Sequence, residues 1–104
     1  MLVAPIRHLE QVTADFTEKE YLALRKVVHR IGEAVRRVVA TERLYILSLG
    51  SQASNSHVHW HIAPLPPGVP FKEQQYAALS SLQILDLSEE EMMDLAERLR
   101  SELK

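Results

Sequence analysis

The chain has no cysteine. That absence excludes disulfides, thiolate zinc sites and cysteine nucleophiles, and it fits a reducing compartment, so a cytoplasmic location is expected. There is also no long apolar run. Met1-Leu2-Val3-Ala4-Pro5 is too short for the apolar region of a signal peptide, and Arg7 and His8 follow it at once. Nothing approaches the length of a membrane span, so no membrane partner is expected. An excess of positive charge is missing as well: the formal net charge is −2, against a general binder of nucleic-acid polymers, which needs a basic footprint. Asp and Glu are absent between Glu42 and Glu73, so any carboxylate serving that stretch has to come from a distant segment.

What stands in that acid-free stretch is His57-Val58-His59-Trp60-His61. Alternation with period two is the pattern of a β-strand with one buried and one open face. It places three imidazoles on one side, with Val58, Trp60 and Ile62 available to a core on the other. Repeats along one strand face are roughly 7 Å apart, a span suited to a phosphate group. A lone histidine in a strand is usually a packing residue. Three in alternation, for a residue of poor strand propensity that titrates near neutrality, mark a site.

The 104 residues, 46% hydrophobic and 25% charged, suit one compact domain over 1–104. Leu2 to Pro5 reads as a short strand. Thr17 and Glu20 have the spacing of a capping box, and Tyr21, Leu24, Val28, Ile31, Val35 and Val38 form an apolar stripe on a helix of roughly six turns. Arg25, Lys26, Arg30, Arg36 and Arg37 flank it as a solvated face. Gly32 costs about 1 kcal/mol relative to Ala within a helix, which points to close approach of a sheet or of a second copy of the helix. Leu44–Leu49 is β-prone and stops at Gly50. A polar, uncharged loop, Ser51–Ser56, then leads into the histidine strand, so the two strands form an antiparallel pair. Prolines 64, 66, 67 and 70 end that strand near Ala63. A short helix is expected around Lys72 to Leu82. Ser88 with Glu91 caps a C-terminal helix with a stripe of Met92, Leu95, Ala96, Leu99 and Leu103. Its acidic start and basic end match the helix dipole.

Clustered histidines serve metal ligation, acid–base catalysis or nucleophilic attack. Three imidazoles could complete a zinc shell, but ligating histidines usually lean on a carboxylate or carbonyl, and no acid is near in sequence. Ser51, Ser54 and Ser56 with the amides around Gly50 are short neutral donors suited to phosphate oxygens. With no carboxylate cluster to hold Mg²⁺, a neutral imidazole acting directly at phosphorus is the favoured chemistry.

His57 to Ala63 matches at every position the pattern of the histidine triad (HIT) family, His-φ-His-φ-His-φ-φ with φ hydrophobic, and the chain resembles that family over most of its length. Leu2-Val3-Ala4-Pro5-Ile6-Arg7-His8 is similar to the family's upstream strand with Pro-x-x-His. The resemblance implies an α+β fold: an antiparallel sheet with a long helix packed on one face and a C-terminal helix, in a homodimer whose sheet runs across both subunits. It implies a nucleotidyl hydrolase or transferase acting on nucleotide phosphoramidates, dinucleoside polyphosphates or nucleotidyl sugars, without a cofactor. His59 would attack the α-phosphorus and become nucleotidylated. His57 and His61 would orient the site and hydrogen-bond the phosphate, and Ser54 would contact the phosphate or the leaving group. Ser48 stands where many members have Asn, and Asn55 where a hydrophobic residue is usual; both are candidate substrate contacts. The family's N-terminal strands have no counterpart before Met1. A nucleotide-binding module with little turnover and a three-histidine metal-binding protein remain the alternatives.

Overall fold

The computed structural model describes residues 1–49, 56–80 and 86–104. In chain order these form β1 (Leu2–Val3), α1 (Glu18–Val38), β2 (Arg43–Leu47), β3 (Trp60–Leu65), α2 (Phe71–Ser80) and α3 (Glu89–Leu103). The strands make one antiparallel sheet in the order β1-β3-β2, with Leu2 opposite His61 and Tyr45 opposite Ala63.

Helix α1 follows from its stripe. Val28, Ala34 and Val35 are buried and join Val58, Trp60, Ile62 and Leu99 in one core, with Tyr21, Leu24, Ile31 and Val38 packed at its margin. The Trp60 indole meets Phe16 edge-on at 6.2 Å between ring centres, a geometry the ring quadrupoles favour. Gly32 settles against the sheet: a Cβ there would lie 3.1 Å from Leu44 Cδ2 and 3.7 Å from Ile46 Cδ1. The close approach expected of this glycine is therefore to β2 within the same chain. At the helix start, Thr17 Oγ1 accepts from the Glu20 amide, but the Glu20 carboxylate is drawn 2.9 Å from Arg7. Only half of the expected capping box is used there. Ser88 and Glu91 make the full reciprocal box at α3.

The basic flank of α1 is less idle than a solvated face. Arg30 donates to the Leu103 carbonyl at 3.0 Å, and Arg37 lies 3.5 Å from Glu102. From the other side, Arg98 of α3 donates to the Val38 carbonyl at 2.9 Å. Each helix thus supplies arginines for the orphan carbonyls or carboxylates at the other's C-terminal end.

β3 departs from expectation at both ends. It begins at Trp60 rather than His57, because the residues before it bond to the 5–9 segment instead of to a strand: the Val58 amide donates to the Leu9 carbonyl at 2.7 Å. It continues past Ala63 to Leu65, through Pro64. Ile62 exchanges both backbone bonds with Met1, so Ile62 and Pro64 face the β1 flank, and Pro64 lies two residues beyond that exchange. Its missing N–H interrupts no ladder bond there. On the sheet face away from α1, the α2 residue Gln74 is buried, accepts from Tyr45 Oη at 3.1 Å and donates to the Val69 carbonyl at 3.1 Å.

Candidate functional site

The three histidines occupy the approach to β3 and its second residue, and each is held differently. His57 sits between residues of the 5–9 segment. The Leu9 amide donates to its Nδ1 at 3.2 Å, so Nε2 carries the proton and donates to the Pro5 carbonyl at 2.8 Å. The ring is neutral, of fixed tautomer, and stacked on His8 at 5.0 Å between centroids. His59 is buried, and its Nδ1 lies 2.8 Å from the His57 carbonyl. A carbonyl can only accept, so the proton is on Nδ1 and the lone pair is on Nε2. His61 meets His59 edge-on at 4.9 Å. Burial, then the neighbouring His59 and the N-terminal ammonium, push its pKa below the ordinary 6.5, against a backbone hydrogen bond with Leu49 that favours its charged form.

A cavity of about 340 Å³ opens beside these rings, lined by Glu10, Gln11, Val12, Ser48, Leu49, Ser56, His57, Val58 and His59. Ser48 donates its hydroxyl proton to the His59 carbonyl at 2.8 Å, which ties the end of β2 to the residue carrying the lone pair. Of the other substrate contacts expected, Ser54 and Asn55 lie outside the described residues, as does Gly50.

Sequence reasoning missed the fourth wall, residues 8–15. Asp15 Oδ2 accepts from the amides of Glu10 and Gln11 at 2.9 and 2.8 Å, and these bonds hold its carboxyl below the usual range. The loop thus fixed delivers Leu9 to His57 and Glu10 to the cavity. Hydrogen bonds from Ser56, then from His8, keep the Glu10 carboxylate below its ordinary pKa. The available signals were the acid-free stretch around the histidines, which required a carboxylate from afar, and the Pro-x-x-His segment that ends beside Glu10.

The geometry does not favour a metal. Both His57 nitrogens and Nδ1 of His59 are committed to backbone groups, and among the described residues no three His, Cys, Asp or Glu converge as a metal site. The three-histidine metal reading is set aside on that ground.

Comparison with solved structures finds the same fold elsewhere. A histidine triad protein from Sinorhizobium meliloti superimposes with a TM-score of 0.78 at 18% identity, over 98% of this chain and 73% of that one. A hypothetical histidine triad nucleotide-binding protein from Sulfolobus tokodaii gives 0.71 at 22% identity, over 98% and 67%. The fold is that of the histidine triad proteins. A HIT-like protein from Bartonella henselae, described as involved in cell-cycle regulation and solved with an unknown ligand, gives 0.66 at 20% identity, over 98% and 69%. No family model and no curated protein matches the sequence. The α+β class, the antiparallel sheet and the long packed helix are those of the HIT fold. Among the described residues, no helix is long and apolar enough to cross a membrane.

Proposed function

We propose that this HIT-fold chain is a nucleotidyl hydrolase or transferase, acting at the α-phosphate of a nucleotide phosphoramidate or dinucleoside polyphosphate. The observation that carries the reading is the His59 tautomer: the His57 carbonyl holds the proton on Nδ1 and leaves the lone pair on Nε2, in a residue that lines the cavity. In the first step Nε2 forms a bond to phosphorus while the bond from phosphorus to the amine or phosphate leaving group breaks, the leaving group taking the electron pair. In the second, water or another acceptor bonds to phosphorus, loses a proton, and the N–P bond breaks to restore His59. Splitting one displacement into two is the advantage of a covalent route. His57, clamped by Pro5 and Leu9, would orient His59 through its own carbonyl. His61 would contact the phosphate, with Ser48, Ser54 and Asn55 as further substrate contacts.

Brief incubation with substrate and an acid-free quench should trap one nucleoside monophosphate on the peptide containing His59. His59→Ala should lose both the adduct and most turnover. An adduct on His57 or His61 with His59 unmodified would sink the assignment. A second reading, a nucleotide-binding module with little turnover, draws on the cavity's charge: its described lining holds one carboxylate and no Lys or Arg, which leaves little to stabilise a phosphoryl transition state. Binding without adduct or turnover would favour it.

The active form is proposed to be a homodimer in the cytoplasm. In the order β1-β3-β2, β2 carries an outer edge that a two-fold partner could cover. Light scattering at micromolar concentration tests it, and a monomer that turns over at full rate would overturn it.

A further inference from the structure

The cavity beside His59 has an unexpected charge for a site meant to receive phosphate. Its described lining includes one carboxylate, Glu10, and no Lys or Arg. Glu10 is also firmly placed. Its amide is bonded to Asp15 Oδ2 at 2.9 Å, and its carboxylate takes hydrogen bonds from Ser56 and His8, with His8 Nε2 at 3.4 Å. The Asp15 carboxylate adds negative charge behind it.

We propose that Glu10 is a specificity-determining residue, a fixed negative charge on the cavity wall that selects guests bearing one phosphorus-borne charge against polyphosphate guests. This rests on the reading that the cavity takes a nucleotide phosphate. The attraction between phosphate oxygens and neutral donors such as the seryl hydroxyls is common to both classes of guest. What differs is repulsion from Glu10, which grows with each added phosphate. For unit charges about 7 Å apart in a water-like medium, that repulsion is close to thermal energy, or about threefold in affinity per added charge, and salt weakens it. The Glu10 carboxylate would also accept a hydrogen bond from the N–H of an amine leaving group, which a polyphosphate tail cannot supply.

The test uses two ligands that share adenosine and an α-phosphorus but carry no cleavable bond there: the methyl ester of adenosine monophosphate, with one charge, and α,β-methylene adenosine diphosphate, with about three. Titration calorimetry on the full chain should show the methyl ester binding roughly five- to tenfold more tightly. Glu10→Gln keeps a side chain that can accept from Ser56 but removes the charge, and should shrink the ratio to about twofold or less, chiefly through tighter binding of the diphosphate. Glu10→Asp should retain most of the preference. Raising salt should compress the wild-type ratio and leave that of Glu10→Gln nearly unchanged. Binding of both ligands with a ratio unaltered by Glu10→Gln would overturn the Glu10 assignment and leave the nucleotide reading standing. Failure of both ligands to bind wild type and variant alike would defeat the two together.

Discussion

The His57 carbonyl stands 2.8 Å from Nδ1 of His59, so the backbone of one triad histidine sets the proton position in the ring of the next. The His57 ring is fixed the opposite way, accepting at Nδ1 from Leu9 and donating from Nε2 to Pro5. The two imidazoles should therefore be of different tautomers. Long-range ¹H–¹⁵N spectra near pH 8 should show His59 protonated at Nδ1 and His57 at Nε2. The same tautomer for both, or a mixture at His59, would remove the basis for attack through Nε2.

A second expectation concerns acid. Burial and the neighbouring His59 hold His61 below its ordinary pKa of 6.5, so below that pH the unfolded chain binds more protons at this position than the folded one. The contribution to stability is complete above about 6.5 and is lost as pH falls through the folded value. Urea unfolding of the wild type between about pH 5 and 8 should show stability rising with pH in the lower part of that range, and His61→Gln should flatten the rise. An undiminished slope in the variant would place the linked proton on another group. Glu10 and Asp15, whose pKa values are also lowered, titrate in more acidic solution, whereas the part-buried N-terminal ammonium, lowered by burial from its ordinary 8.0, adds a rise of its own that His61→Gln leaves in place.

Gly32 allows a graded test of helix–sheet packing. Alanine there gains about 1 kcal/mol of helix propensity, while its Cβ presses on the flexible end of Leu44 at 3.1 Å. Gly32→Ala should therefore change stability little. Gly32→Leu drives a full side chain into Leu44 and Ile46 and should cost roughly 1–3 kcal/mol. The loss should not depend on protein concentration, because the contact lies within one chain; a loss that vanished at high concentration would move Gly32 to a subunit interface.

Arg98 tests the join between the two long helices. Its guanidinium donates to the Val38 carbonyl at 2.9 Å, at the end of α1. Arg98→Ala should cost about 0.5–1.5 kcal/mol by denaturant midpoint, the worth of one hydrogen bond at an exposed position. Arg25→Ala, on the basic flank of α1, should fall within about 0.5 kcal/mol of wild type.

Much of this was legible in the residues themselves. The stripe from Tyr21 to Val38 gave α1, the Ser88 and Glu91 pair gave the start of α3, and the alternation of Val58, Trp60 and Ile62 against the histidines gave the buried side of the central strand. The losses came where a side chain was claimed by a partner far away in sequence. Arg7 took Glu20 from its capping box, and Leu9 took the strand start from His57. Asp15 shaped the 8–15 loop into a cavity wall that no local pattern announces. Pro64 misled for a related reason: whether a strand tolerates proline depends on which flank its nitrogen faces, a property of sheet register rather than of the residue.

Pro64 also limits how the sheet can grow. A strand sliding along the β1 flank of β3 would find a donor and acceptor at Ile62, then at Pro64 a carbonyl without an amide beside a bulky ring. Register errors that advance pairing by two residues lose a bond and gain a clash at that point. The proline thus acts as a stop against misaligned strand addition, in the manner of the prolines that guard sheet edges from aggregation.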